Sequence, residues 1–457
     1  MKTQRKELSF APSRLGDPAL NASDRHPAPA GQKTIVQGNA LGSVPGDAQS
    51  PGWAEDGEWP EGWRLLTLGE ATGMKQGEVL GTHEMKTSGF PVFGANGRIG
   101  YYHRFTHRDS EVLVTCRGST CGTVNISPPQ SFITNNAMVV TPLNSAALER
   151  SFLALALQVA DLSSTITGTG QPQITKGKLA RVAIRVPPLP EQKATASVLR
   201  TVQEAREACE RVLAATRQLK QSLLHHLFTY GPVPFPQAAH VLLKETEIGS
   251  MPEHWQTAEL GDFTLHSAFG PRFGGELYDH AGNVATLRTT DISDDGRINY
   301  ATMPRARITE ERFRSHFLNK GDFLVTRSGT CGIASVFERF GSPVLAGAFL
   351  IRFVLKDVLS PYFLRDYFNS PIGRPRVESI ASGAVQKNIS GTSLKAFVVP
   401  VPSLSEQREI AAQLSAVDAK LAAEESRRAA LAVLFQSLLH GLMTGRLRLP
   451  GFARGAA

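Results

Sequence analysis

The chain has 457 residues, of which 41% are hydrophobic and 20% are charged. This is the composition of an ordinary globular protein, and the length exceeds what one core organises, so we expect two to four domains. The formal net charge is +8. Excess base favours a polyanionic partner such as nucleic acid, because Lys and Arg release counterions from phosphates, although many soluble proteins are mildly basic.

Four cysteines are too few for a disulfide framework in a chain of this length, which favours a reducing compartment, and we expect a cytoplasmic protein. The sequence has no pair of CxxC motifs, which argues against structural zinc. The N-terminal charges have no apolar segment behind them, which argues against a signal peptide. No apolar run approaches the roughly 18 residues that span a membrane, so no membrane partner is expected.

In chain order, residues 1–58 are rich in Ala, Pro, Gly and Ser without helix or strand periodicity, and are predicted to be a disordered extension or a mis-assigned start. Residues 59–186 are predicted to form a mainly β domain. Its short strands are joined by Gly- and Asn-containing turns at residues 94–100 and 116–122. A short helix is predicted at residues 148–161.

Residues 187–230 are predicted to contain a helix of about 38 residues at positions 191–228, with prolines before it and Gly231 after it. Its apolar residues step by threes and fours. These are Val198, Val202, Ala205, Cys209, Val212, Leu219 and Leu223.

Residues 231–251 are predicted to be a linker, and residues 252–401 a second mainly β domain with a short helix at 361–370. Residues 402–445 repeat the long helix at positions 406–443, and residues 446–457 form a tail. The apolar stripe of the second helix is interrupted near Glu424 and Arg428. Because a lone helix this long needs a partner for its stripe, we expect the two long helices to pair.

The second helix segment is an ungapped copy of the first. Glu191-Gln192 returns as Glu406-Gln407, and each residue of the copy lies 215 positions after its counterpart. The domain starts at Trp63 and Trp255 are only 192 positions apart, so the second half carries a net 23 additional residues between these markers. The two copies therefore align without gaps in the helices but differ in length in the domains. Domains that have diverged to bind different targets would give this pattern.

This order of domain, Pro-Leu-x-Glu-Gln or Ser-Leu-x-Glu-Gln helix, second domain and second helix resembles the DNA-specificity subunits of type I restriction–modification enzymes. The matching pieces are residues 188–192, 403–407, 94–100 and 327–330, and the resemblance covers about residues 60–445. The chain departs from it in the N-terminal extension and in the second domain, which lacks the Gly-Ala-Asn-Gly segment.

The resemblance implies an α+β fold in which two mainly β target-recognition domains are separated by two long antiparallel helices forming a coiled coil, with pseudo-twofold internal duplication. It implies that the chain binds double-stranded DNA at a bipartite, asymmetric target and is not itself an enzyme. It further implies partners: methyltransferase (modification) subunits and a restriction/translocase subunit. S-adenosylmethionine, ATP and Mg are expected on those partners, and no cofactor in this chain.

The sequence itself also lacks the motifs of a catalytic subunit. The string nearest to an adenine-methyltransferase loop, Ser127-Pro128-Pro129-Gln130, lacks the aromatic residue that stacks on a flipped base, and we interpret it as a turn. The sequence has no Walker A loop and no HExxH motif. The pair His225-His226 is interpreted as packed or helix-terminal rather than metal-binding.

Base recognition favours Arg for guanine and Asn or Gln for adenine. Candidates in predicted turns are Asn96, Arg98, Arg117 and Gln171 in the first domain and Arg288, Arg327, Gln386 and Lys387 in the second. The loops around Gln171 and Gln386 match at the offset of 215. They are either DNA contacts or simple caps on the strand that follows.

Three alternatives remain at this stage. The first is the specificity module of a related two-subunit or fused restriction system, and the second is a coiled-coil scaffold whose β domains bind protein or carbohydrate. The third is an enzyme acting alone, which methyl transfer to DNA by the purified chain would reveal.

Overall fold

The computed structural model describes residues 60–95, 97–168, 170–383 and 387–452. The predicted extension at 1–58 therefore lies outside the described residues, and the predicted tail is described as far as residue 452.

The first half is built from short strands, three short helices and the first long helix. The strands are β1 (Arg64–Thr67), β2 (Thr72–Gln76), β3 (Phe90–Gly94), β4 (Gly97–Tyr102), β5 (Val112–Thr115), β6 (Val124–Ile126), β7 (Phe132–Ile133), β8 (Ala137–Pro142), β9 (Ile166–Thr167), β10 (Gln173–Ile174) and β11 (Ala183–Val186). The helices are α1 (Leu68–Ala71), α2 (Arg150–Val159), α3 (Lys176–Leu179) and the long α4 (Leu189–Tyr230).

The second half has the same plan. Its strands are β12 (Leu243–Thr246), β13 (Gly249–Pro252), β14 (Gln256–Glu259), β15 (Thr264–Phe269), β16 (Val284–Leu287), β17 (Arg305–Ala306), β18 (Phe323–Thr326), β19 (Ala334–Val336), β20 (Val344–Ala346), β21 (Leu350–Leu355) and β22 (Val398–Val401). Its helices are α5 (Glu310–Phe313), α6 (Pro361–Phe368), α7 (Gly373–Ser379), α8 (Gly391–Lys395) and the long α9 (Leu404–Thr444).

The sheets of the two domains correspond strand by strand. The four-stranded sheets have the orders β2-β8-β5-β6 and β15-β21-β18-β19, and the three-stranded sheets have the orders β4-β3-β7 and β17-β16-β20. In each three-stranded sheet one pair, β3 with β7 or β16 with β20, is parallel. The predicted duplication of a mainly β domain is therefore confirmed at the level of topology.

The long helices α4 and α9 pack along each other in opposite directions. Arg206 lies over the ring of Phe435, and further along Arg217 pairs with Glu425. Residue numbers rise along α4 as they fall along α9, so the pair is antiparallel. Each helix exceeds 40 residues, which corresponds to about 60 Å.

Each domain packs between the start of one long helix and the end of the other. The core of the first domain includes Leu199 from α4 together with Phe435 and Leu439 from α9. The core of the second includes Ile410 from α9 and Phe228 from α4. The helix pair therefore carries one domain at each end, and both helices hold each domain.

The repeated Glu-Gln pair ties each domain to the start of its helix. Gln192 is fully buried; it accepts from the Glu149 amide (2.8 Å) and donates to the carbonyl oxygens of Ala147 (2.9 Å) and Pro187 (2.8 Å). Gln407 is equally buried and makes the same three bonds. Its partners are Ser360 N (2.7 Å), Val358 O (3.2 Å) and Pro402 O (3.0 Å).

The glutamate of each pair accepts from a tryptophan at the start of a domain. Trp63 Nε1 donates to Glu191 (3.2 Å), and Trp255 Nε1 donates to Glu406 (3.0 Å). Arg448, which follows α9, adds a second donor to Glu191 at 2.7 Å. The Glu-Gln pair therefore has the same structural role in both copies: it provides hydrogen-bond partners for groups at the joint between a domain and its helix.

The domains differ most between β16 and β17. Seventeen residues (288–304) connect these strands, whereas two residues connect β3 and β4. Most of the additional length of the second half lies here. Within this insertion, Arg297 pairs with Glu425 of α9 at 2.9 Å, so the insertion contacts the middle of the helix pair.

Residues 231–251, predicted to be a linker, contain a 3-10 helix at Phe235–His240 and the β12–β13 hairpin. His226 is buried, its ring contacts the Val233 carbonyl at 2.7 Å, and it stacks on Phe235. A packed imidazole is what the sequence indicated. Residues 127–130 lie in the turn between β6 and β7.

Candidate nucleic-acid interface

Three segments of the first domain converge beside the end of β5. The hydroxyls of Thr115 and Thr120 donate to the carbonyl oxygen of Ala95, which joins the β5–β6 turn to the β3–β4 turn (2.9 and 2.6 Å). The amide of Gly118 donates to Pro172 O at 3.0 Å, which joins the same turn to the loop before β10. The sequence-separated candidate segments therefore form one surface.

Arg117 lies at the centre of this surface. It lies two residues after the end of β5, forms a β-bridge with Gln173, and is half-buried. The next residue, Gly118, has φ +94° and open space around its Cβ position, so the turn depends on a left-handed backbone that glycine adopts freely. The neighbouring Gln171 is exposed in the adjoining loop.

The second domain brings Arg327 and Lys387 together in the same way. The amide of Ile389 donates to Arg327 O at 2.9 Å, and the Cys331 thiol lies within hydrogen-bond distance of both Arg327 O (3.1 Å) and Lys387 O (3.0 Å). Burial raises the pKa of Cys331, so the thiol stays protonated and packs between the two segments. Lys387 itself is exposed.

Arg327 is held in a defined position by an aromatic ring. Its guanidinium carbon lies 4.4 Å from the centre of the Phe269 ring, at the end of β15. Its Nε is buried and has no hydrogen-bond partner among the described residues. A guanidinium held against an aromatic ring is suited to recognition of guanine or phosphate through its outer N–H groups.

Arg98 lies elsewhere, at the start of β4 on the three-stranded sheet. It is exposed, donates to the Tyr101 hydroxyl at 3.1 Å, and lies over the same ring. The β3–β4 turn that precedes it contacts the β5–β6 turn, so Arg98 borders the surface around Arg117.

Arg288 is engaged within the protein. Its guanidinium donates to both carboxylate oxygens of Asp291 (3.1 and 2.9 Å) and to Thr302 O (2.8 Å). Burial acts to raise the pKa of Asp291, but the hydrogen bonds from Arg288 and Thr302 outweigh it and lower that pKa. This arginine therefore organises the base of the 288–304 insertion. A DNA contact by its outer edge stays a prediction.

Asn96 and Gln386, the remaining candidates, lie outside the described residues. Ala95, next to Asn96, belongs to the surface around Arg117. Lys387, next to Gln386, belongs to the surface around Arg327.

Sequence reasoning missed two features of these surfaces. Phe269 was not selected, because an aromatic residue at the end of a strand looks like core; the structure leaves 43% of it exposed. Lys176, Lys178 and Arg181 were also missed. They are exposed at and after α3, next to the Gln171 loop, and their K-x-K-x-x-R spacing was a visible signal.

Within the described ranges, no group of three or more His, Cys, Asp or Glu side chains is placed to hold a metal ion. No helix in this part of the chain is long and apolar enough to cross a membrane. The turns around Arg117 and Arg327 thus offer cationic and amide donors rather than a set of metal ligands.

Comparison with known proteins gives consistent matches. The family described as "Type I restriction modification DNA specificity domain" matches residues 60–213 and 252–432. The type I restriction enzyme MjaVIII specificity subunit of Methanocaldococcus jannaschii is 21% identical over 416 residues, covering 85% of this chain and 94% of that protein. The EcoprrI specificity subunit of Escherichia coli is 29% identical over 138 residues, covering 29% of this chain and 34% of that protein.

Among solved structures, the S subunit of a type I restriction–modification system from M. genitalium is similar, with a TM-score of 0.61 and 19% identity. The match covers 83% of this chain and 96% of that one. At this identity the likeness supports the fold, with its two β domains and helix pair. From the two matched segments, which together span most of the chain, it follows that the protein belongs to the type I restriction–modification DNA-specificity family.

Proposed function

We propose that this chain is the sequence-recognition subunit of a type I restriction–modification system and binds a bipartite, asymmetric site in double-stranded DNA. The observation that carries the proposal is the pair of topologically equivalent but chemically unlike surfaces, one around Arg117 and one around Arg327. Two recognition surfaces held by one helix pair fit two half-sites at a set distance.

In this proposal, phosphates and bases are contacted by different residues. Lys176, Lys178 and Arg181 in the first domain bind the backbone and give sequence-independent affinity. Arg117 and Arg327 contact base edges from their turns. Arg98, Gln171, Lys387 and the turns around Asn96 and Gln386 flank these positions and adjust specificity.

Catalysis belongs to partner subunits in this proposal. Methyltransferase subunits carry S-adenosylmethionine and modify an adenine, and a restriction/translocase subunit carries ATP and Mg. The chain works in the cytoplasm, holding the partners at the bound site, and contributes no catalytic group. The family's DNA-specificity role and the turn chemistry support this division.

The test replaces Arg327 by alanine and uses Arg339→Ala as the matched control. Arg339 is exposed in the same domain, so both variants lose one positive charge. The preferred DNA is first obtained by selection from random duplexes with the purified chain. Arg327→Ala should weaken binding to it by about 5- to 150-fold, which corresponds to about 1–3 kcal/mol, and relax preference in one half-site only.

Arg339→Ala should change affinity by less than about twofold, as expected for one remote surface charge. Equal effects of the two variants would rule out Arg327 as a base contact. A chain that selects no duplex, and binds none in a salt-dependent way, would contradict the function itself.

A further inference from the structure

Two exposed phenylalanine side chains lie next to Arg327 in the second domain. Phe269 is the last residue of β15, and the centre of its ring lies 4.4 Å from the guanidinium carbon of Arg327. Phe349 precedes β21, and its carbonyl oxygen accepts from the Arg327 amide at 2.9 Å. Phe269 is 43% exposed and Phe349 is 51% exposed. The surface around Arg327 therefore combines a cation with apolar area that is in contact with solvent.

The strand register identifies the residue of the first domain that corresponds to Phe269. Ile351 of β21 lies opposite both Phe269 and Val325. In the first domain, Met138 of β8 lies opposite both Gln76 and Val114. Gln76, the last residue of β2, therefore occupies the position of Phe269.

The hydrogen bonds of the backbone identify two further equivalent positions. The Cys116 amide donates to Asn136 O at 2.9 Å, as the Arg327 amide donates to Phe349 O. The amide of Ile174 donates to Cys116 O at 3.0 Å, as the amide of Ile389 donates to Arg327 O at 2.9 Å. Cys116 therefore corresponds to Arg327, and Asn136 corresponds to Phe349.

The same scaffold thus carries two different sets of side chains at one place. In the first domain, Gln76 Nε2 lies 3.4 Å from Cys116 Sγ, where the second domain has the ring of Phe269 against the Arg327 guanidinium. Since the first domain keeps its sheet with glutamine at this position, the sheet geometry does not require an aromatic residue there. The exposed ring of Phe269 therefore calls for a role outside the core.

One group in the major groove of DNA is apolar. It is the C5-methyl group of thymine, and phenylalanine is one of the side chains that contact it. Guanine presents its N7 and O6 acceptors to arginine in the same groove. The Phe269 ring and the Arg327 guanidinium are 4.4 Å apart, which is close to the spacing of about 3.4 Å between stacked base pairs. The two side chains are thus spaced to contact neighbouring base pairs.

We propose that Phe269 is a specificity-determining residue that contacts the C5-methyl group of a thymine in the base pair next to a guanine bound by Arg327. This inference rests on the DNA-binding function proposed above and adds one base to it. Phe349 enlarges the apolar area beside Arg327. The first domain, with Gln76 and Cys116 at the equivalent positions, lacks this pair of contacts.

Replacing thymine by uracil tests the contact, because uracil pairs in the same way but has no methyl group. The duplex is the one selected by the full-length chain, and the relevant half-site is the one whose preference Arg327→Ala relaxes. Uracil at the thymine next to guanine should weaken binding about fourfold, the effect of exposing one methyl-sized group. Uracil at a thymine in the unread spacer should leave binding unchanged.

A variant assigns the effect to Phe269. Phe269→Gln introduces the residue that the first domain carries at this position, and it should bind the thymine and uracil duplexes equally. If the ring only positioned Arg327, this variant would bind both duplexes more weakly and keep the fourfold preference for thymine seen in the unchanged chain.

Phe340→Gln is the matched control. Phe340 is 37% exposed and follows β19, whose Val336 lies opposite Phe323 at the start of β18, the end remote from Arg327. This variant should keep the preference for thymine over uracil.

Three results would overturn the inference while the DNA-binding function stands. They are a selected half-site without thymine next to guanine, equal binding of the thymine and uracil duplexes by the unchanged chain, and an undiminished thymine preference in Phe269→Gln. A chain that selects no duplex would overturn the proposed function as well.

Discussion

At the scale of single residues, the clearest lesson comes from the repeated Glu-Gln pair. Sequence comparison of the two halves found it, but its purpose needed coordinates: Gln192 and Gln407 each join a loop, a strand end and a helix start. The base-contact candidates were located less completely. Turn chemistry identified Arg117 and Arg327, whereas the ring under Arg327 depends on a strand 58 positions away in sequence, which no local pattern encodes.

Removing one of these glutamines should destabilise the fold. Gln407→Ala leaves the Ser360 amide and two carbonyl groups without partners in a site that excludes water, so the free energy of unfolding should fall by about 2–4 kcal/mol. Urea denaturation followed by tryptophan fluorescence measures it, with the exposed Gln436→Ala on the same helix as control. Equal stabilities of the two variants would show that these bonds contribute nothing.

The buried Asp366 should give the chain a characteristic pH dependence. Burial raises the pKa of Asp366 to about 6, although Arg365 and Lys220 act to lower it. In the unfolded chain the pKa lies near 4. The folded state therefore binds the proton more tightly, and this carboxyl favours folding at pH 4 and opposes it progressively as pH rises through 6.

Comparison with Asp366→Asn isolates this effect from other carboxyl groups. The stability of the wild type minus that of the variant should fall by roughly 2–3 kcal/mol from pH 4 to pH 7. Denaturation midpoints of both proteins at several pH values provide the measurement. A constant difference would mean that Asp366 titrates normally.

At the scale of elements, the spacing of hydrophobic residues along the sequence predicted where both long helices lie. It did not predict correctly which residues of each helix are buried. Helices were predicted at 191–228 and 406–443, and they run from Leu189 to Tyr230 and from Leu404 to Thr444. Val212 and Leu219 were placed on the apolar stripe of α4, yet Val212 is 39% exposed and Leu219 is 53% exposed. The stripe prediction was wrong at these two positions: in the middle of α4 the buried residues are Cys209 and Leu213, and Lys220 rather than Leu219 pairs with α9, through Asp418.

The interruption near Glu424 has a physical explanation. Glu424 lies on α9 and is only 6% exposed, and it accepts a hydrogen bond from Lys420 at 2.7 Å. A charged residue therefore occupies a position on the apolar stripe of α9. The next residue, Glu425, forms ion pairs with both Arg217 and Arg297. The two helices are therefore not equivalent, and the difference lies where the insertion of the second domain contacts them.

Helix length should set the separation of the two half-sites. One heptad added to both α4 and α9, between the Arg206–Phe435 and Arg217–Glu425 contacts, preserves the buried face and lengthens the pair by about 10 Å. The unread spacer should grow by about three base pairs. Selection of preferred duplexes by the lengthened chain measures the spacer, and an unchanged spacer would show that the helices do not determine it.

At the scale of the whole molecule, the internal duplication predicted the architecture correctly. The offset of 215 residues identified the two helices, and the smaller offset of 192 at the domain starts identified the additional residues of the second half. The insertion between β16 and β17 could not be located from sequence, because the domains have diverged too far for residue-by-residue alignment. Its contact with α9 follows from tertiary packing alone.

The central claim is that each domain recognises its own half-site independently. Its most direct test exchanges residues 61–186 for the corresponding domain of another family member, in a strain that carries the methyltransferase partner. Single-molecule sequencing of the host genome then maps methylated adenines. One half of the methylated motif should change while the other half and the spacer stay the same; a change in both halves would contradict the account.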